Sequence, residues 1–135
     1  MDCHASNIVE TSDGLLVAYF AGSREGRPDV GIYLVRNPGE WIDPEDGEQI
    51  AGTGEQPCWN PVLFQVPGGP LLLFYQEGLF ERWRGALKLS TDDGKTWSSP
   101  LWLPDGFLGP IKNKPVMLPD ELLLCPSSSQ QPSWK

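Results

Sequence analysis

Residues 90–97, "STDDGKTW", set two adjacent aspartates between hydroxyl side chains, with a glycine and a tryptophan close behind. Such oxygens could hold an ion, supply a carboxylate to catalysis, or close a turn. A calcium loop of EF-hand type needs a longer spacing and a final glutamate, and both are missing. A hairpin fits every position. Asp93-Gly94 suits a tight turn, because glycine reaches positive φ without steric cost. The short Asp92 carboxylate suits the turn's own N–H groups. Ser90 and Thr96 are placed to bond across the turn, and Trp97 offers a large apolar face. This cluster is a fold device, so any chemistry has to come from elsewhere.

Two other stretches concentrate polar chemistry. In "GSREGRPDV", residues 22–30, Arg24, Glu25, Arg27 and Asp29 lie within six positions; taken alone, this is a solvated charged loop. In "GPIKNKP", Lys112 and Lys114 flank Asn113. On a strand, period two would put both lysines on one side, where they would suit an anion. The alternative is an ordinary loop ahead of the strand. Cys3, Cys58 and Cys125 form no CxxC pair and are odd in number, which indicates neither a zinc site nor a disulfide framework. They read as buried thiols.

The elements that must position these residues are strands. "ASNIVE", "LLVAYFAG" and "VGIYLVR" are followed by a turn and Trp41; "NPVLFQV", "PLLLFYQEG" and "RGALKLS" are followed by a turn and Trp97. A third copy starts at "NKPVML" and "ELLLC". Asn7, Asn60 and Asn113 recur at a constant spacing of 53 residues. Several strands per unit at a period near 50 indicate a β-propeller. The copies divide at about 4–56, 57–109 and 110–135, the last incomplete, which predicts one all-β domain of about two and a half four-stranded blades. Fourteen prolines and fifteen glycines punctuate the apolar runs, as an all-β chain requires.

Composition narrows the partners. A formal charge of −8 over 135 residues repels a phosphate backbone, which argues against nucleic acid. The apolar runs are too short to cross a bilayer, and "MDCHASN" has neither the basic end nor the apolar stretch of a signal peptide. Neither a metal nor a cofactor is expected.

The segment 90–97 fits S-x-D-x-G-x-T-W throughout and resembles the Asp-box of sialidases. "CHASNIVETSDGLLVAYFAGSREGRPDVGIYL", "QPCWNPVLFQ" and "GPIKNKPVMLPDELLLCPSS" resemble successive segments of bacterial sialidase-like proteins with BNR repeats, from Cys3 to about Ser128. The resemblance implies a six-bladed propeller with its site on the axis, where the innermost strands begin. His4, Trp59 with Asn60, and residues 112–114 would then face substrate. It also implies that the loop after the second strand carries a binding arginine and an acid/base aspartate, here Arg24 and Asp29, with Glu25 beside them. A guanidinium fork suits a carboxylate or sugar hydroxyls, and a carboxylic acid can protonate a glycosidic oxygen.

The implied activity is hydrolysis of a terminal acidic sugar, with Asp29 and His4 as catalytic candidates. Arg24, Glu25, Trp59, Asn60, Lys112, Asn113 and Lys114 are the candidates for binding it. The chain departs from that pattern in two ways. His4 stands where the family opens its first strand with an arginine, and an imidazole cannot replace a bidentate clamp. Sialidases also use a tyrosine nucleophile, which Tyr19, Tyr33 and Tyr75 do not match. Two alternatives follow: a uronic-acid polysaccharide lyase or rhamnosidase-type propeller enzyme using His4, or a non-catalytic carbohydrate-binding module or inactive fragment. Incomplete propellers expose apolar blade faces, so self-association is expected of the isolated chain.

Overall fold

The computed structural model describes residues 1–38 and 43–128. The structure is all-β, and its sheets are antiparallel. The first sheet holds β1 (Asp2–Thr11), β2 (Gly14–Gly22), β3 (Gly31–Arg36) and β4 (Glu48–Ala51) in sequence order. The second repeats the arrangement with β5 (Cys58–Gln65), β6 (Leu71–Glu77), β7 (Arg84–Ser90) and β8 (Leu101–Trp102). A two-stranded sheet of β9 (Val116–Met117) and β10 (Leu123–Leu124) follows. Two four-stranded meanders in series are propeller blades.

The apolar pattern explains the stacking. Leu16, Ala18 and Phe20 point from β2 to one side, where Leu63, Leu71, Leu73 and Tyr75 of the second blade meet them in the main core. Val17, Tyr19 and Ala21 alternate onto the opposite face with Tyr33 and Val35. The far face of the second blade buries Val62, Leu72 and Phe74, and Leu123 of β10 packs there. Both faces of each second strand are covered, so those strands read as continuous apolar runs instead of alternating.

The repeat is real in register, but its markers move. β1 slips register between His4 and Asn7, and β5 slips between Trp59 and Val62. Ala5 (φ 54°) and Asn60 (φ 44°) carry the positive φ of these matching bulges. Trp59 therefore corresponds to His4, and Asn60 to Ala5. Asn7 corresponds to Val62, so the recurring asparagines do not occupy equivalent places. The third copy also differs from expectation: residues 111–113 form a bend, and the strand begins only at Val116. Lys112 and Lys114 thus do not share a strand face. "ELLLC" is not an unpaired edge, since Leu123 and Leu124 pair with Met117 and Val116; Leu122 and Leu124 remain exposed. Among the cysteines only Cys58 is buried, while Cys3 is exposed and Cys125 half-buried. Trp97 is half-buried against the main core, and Trp41 lies outside the described residues.

At one end of the two blades lie the starts of β1 and β5, the ends of β2 and β6, and the loops that follow β2 and β6. The other end carries the β1–β2 turn and the Asp-box after β7. There Asp92 Oδ1 accepts from the Thr96 amide (2.9 Å) and the Ser90 hydroxyl (2.7 Å), and Oδ2 accepts from the Thr96 hydroxyl (2.6 Å). Asp93 and Gly94 both take positive φ, as a type I′ turn requires. Arg36, which ends β3, donates to the carbonyls of Asp93 and Gly94. Asp29 precedes β3, which runs from Gly31 to Arg36, so the length of that strand, about 17 Å at roughly 3.3 Å per residue, separates it from the end that carries the Asp-box.

Candidate functional site

The loop joining β2 to β3 is shaped by its own side chains. Asp29 accepts from the Ser23 amide (2.7 Å) and the Ser23 hydroxyl (2.9 Å), which closes the loop on itself. Backbone bonds from Arg27 N to Arg24 O and from Val30 N to Arg27 O complete it. Gly26, at φ 80°, turns the chain where it passes the Trp59 ring. The Glu25 amide donates to Asp2 Oδ2 (3.0 Å), tying the loop to the start of β1.

Asp29 lines a cavity of about 590 Å³ with Ser23, Tyr33, Gln49, Gly52 and Thr53. The two Ser23 bonds hold its carboxyl below the usual carboxylate range. It therefore rests as a weakly basic carboxylate, and proton donation requires the Ser23 hydroxyl to be displaced.

His4 lies on the other side of the blade. Its ring is 5.6 Å from Phe20, in the core between the blades, and Nε2 is 3.8 Å from Glu25 Oε2. Phe20 meets Trp59 at 5.7 Å, and Trp59 meets Trp83 at 5.4 Å. Trp59 Nε1 donates to the Gly78 carbonyl (2.8 Å), which fixes the indole over the end of β6. The structure thus brings together His4, Glu25 and Trp59. Asp29 turns away from them, toward the face that carries Tyr33.

The remaining candidates go elsewhere. Asn60 sits on the bulge of β5, with Nδ2 3.5 Å from Gln76 Oε1. Lys112 and Asn113 are exposed in the bend before β9. Lys114 donates to Asn7 Oδ1 (2.9 Å) and to the Leu63 carbonyl (2.7 Å). The same Asn7 oxygen accepts from the Leu63 amide (3.0 Å). Lys114 therefore ties three segments together at the inner strands, and desolvation there lowers its pKa.

One polar residue at this end escaped the sequence reading. Gln76 is fully buried, and its amide donates to the carbonyls of Leu108 (3.2 Å) and Pro110 (3.0 Å). A lone glutamine in "LLLFYQE" was the available signal, because a buried amide must find partners. Its job is to anchor the segment that leads to Lys112.

The family profile of the BNR repeat-like domain matches residues 13–135. The chain belongs to that family. The BNR repeat-like assignment agrees with the two blades and with the Asp-box between β7 and β8. BNR repeat-like domains occur in glycosidase-related proteins, so the family is one related to sialidase-type glycoside hydrolases. No curated protein matches the chain. Among the described residues no group of histidine, cysteine and carboxylate side chains is placed to hold a metal ion.

Proposed function

We propose that this chain contributes part of the site of a propeller glycosidase acting on a terminal acidic sugar. The observation that supports this reading is Asp29, a carboxylate on a cavity wall, fixed by Ser23 and with Arg27 as the cation acting on it, in the loop that also carries Arg24. In the proposed reaction Arg24 pairs with the sugar's carboxylate. Asp29 gives a proton to the glycosidic oxygen as the C–O bond breaks, then recovers one from the water that completes hydrolysis. Substrate entry supplies the necessary pKa rise by excluding water and displacing the Ser23 hydroxyl.

The pair His4–Glu25 favours a second reading. An imidazole with a carboxylate 3.8 Å away, beside the aromatic wall of Trp59, suits a base that removes a proton from a uronate carbon. The leaving sugar departs from the adjacent carbon, and a carbon–carbon double bond remains.

The products separate the two. Incubation with acidic disaccharides, followed by mass spectrometry, detects either addition of water or an unsaturated sugar lighter by one water. Hydrolysis that falls in Asp29→Asn and survives in His4→Ala supports the first reading. Unsaturated product that vanishes in His4→Ala replaces it with the second. Absence of both products, with sugar binding retained, leaves a carbohydrate-binding module.

A further inference from the structure

Beyond the Asp29 cavity, the groove between the two blades is lined by charge unusual for this chain. One cavity of about 450 Å³ is bounded by Gln49, Thr53, Tyr75, Glu77, Lys88 and Trp102. A second, of about 340 Å³, shares Glu77 and Trp102 and extends to Gln56, Arg82 and Arg84. Gln49, Gly52 and Thr53 also border the Asp29 cavity, so the three spaces adjoin one another in sequence. Trp102 is 41 % exposed, with the Arg84 guanidinium 4.5 Å from the ring centroid.

The protein has ten lysines and arginines against eighteen acids, yet this groove gathers three of the ten. Glu77 is the acid on its wall, directly across the ladder from Arg84. Desolvation pushes Glu77 above the usual carboxylate range, with Glu55 adding to the effect and Arg84 opposing it. Lys88 Nζ donates to the Ile50 carbonyl (2.5 Å), which holds that charge at the groove floor. The part of the Trp102 ring that the Arg84 guanidinium leaves uncovered suits the apolar face of a sugar ring. The neighbouring cations suit its carboxylate.

We propose that this inter-blade groove binds further residues of an acidic oligosaccharide, with Trp102 as the platform and Arg82 and Arg84 as the anion contacts. The proposal rests on the carbohydrate reading above but not on Asp29 chemistry, and binding tests it separately from turnover. The probes are trigalacturonate, galacturonate monomer and the neutral trisaccharide cellotriose, titrated by calorimetry and by NMR of the tryptophan indole N–H signals. Trp102→Phe assigns the relevant signal.

The expected result is that trigalacturonate binds and shifts the Trp102 signal, while cellotriose does not. Arg82→Gln combined with Arg84→Gln should weaken trimer binding by about tenfold or more, and Asp29→Asn should leave the Trp102 shift in place. All of these side chains lie at the surface, and circular dichroism checks that the variants fold. A Trp102 signal that stays put at saturating trimer overturns the groove as the site. Unchanged affinity in the double arginine variant, or equal binding of cellotriose, overturns its preference for acids.

Discussion

Lys114 Nζ lies 2.9 Å from Asn7 Oδ1, joining the segment before β9 to β1 across 107 positions of sequence. The Leu63 carbonyl takes a second bond from the same ammonium, so the contact spans both blades and the two-stranded sheet's approach. Lys114→Met keeps most of the stem and removes both bonds. The expected loss is about 1–2 kcal/mol of stability, read from urea unfolding. Affinity for an acidic sugar should stay within twofold or so of the wild type, in keeping with a joint and not a ligand. A large loss of sugar affinity at unchanged stability would return Lys114 to the binding site.

Acid should loosen the Asp-box. The bonds from Thr96 and Ser90 hold Asp92 far below the usual carboxylate range. With its folded pKa depressed, Asp92 contributes stability that is fully present above the unfolded value, near 4. That contribution is lost as pH falls through the folded value. Asp13, lowered by Lys95, and Asp29, lowered by Ser23, act in the same direction. Melting temperature against pH for wild type and Asp92→Asn checks the sign. The gap between the two curves should be widest near neutrality and narrow progressively below pH 4. A gap that is constant with pH would mean that the Asp92 charge contributes nothing.

The all-β class, the four-strand unit and the turn role of residues 90–97 were legible because each rests on local chemistry. Short Leu-rich runs bounded by glycine and proline favour strands over helices, and Asp-Gly in a hairpin carries its own φ signature. The arrangement of side chains around each end was not legible, because it depends on register. A bulge at Ala5 and another at Asn60 decide which residues share a face, and no composition signal marks either. The same limit explains Lys114, whose period-two partner Lys112 ends in a bend. It also explains His4 and Asp29, which come from strand ends close in space yet lie on opposite faces of one blade.

Gln76 offers a test of the missed anchor. Its amide satisfies two carbonyls, those of Leu108 and Pro110, in a position closed to water. Gln76→Leu fits the volume but leaves both acceptors without a donor. Each unsatisfied carbonyl costs about 1–3 kcal/mol, so the variant should lose several kcal/mol or fail to accumulate folded. Gln76→Glu at low pH, where the acid can donate one bond, should recover part of that loss. If Gln76→Leu were as stable as wild type, the glutamine would not anchor the 108–110 segment.

Ser23 sets the proton affinity of Asp29, and that gives the catalytic proposal its most direct check. Its hydroxyl and amide stabilise the carboxylate form and hold the pKa down. A general acid must carry a proton in the free enzyme, so kcat/KM should fall as pH rises past that depressed value. Ser23→Ala deletes one of the two donors and leaves the backbone bond. The Asp29 pKa then rises toward its ordinary value, and the alkaline limb of the kcat/KM profile should move to higher pH in step. On a glycoside with a poor leaving group, which depends most on protonation, the variant should be faster than wild type above the limb. On an activated aryl glycoside the two enzymes should differ little. A limb that stays in place in Ser23→Ala, with activity intact, would assign the titrating group to another residue and remove Asp29 from the acid role.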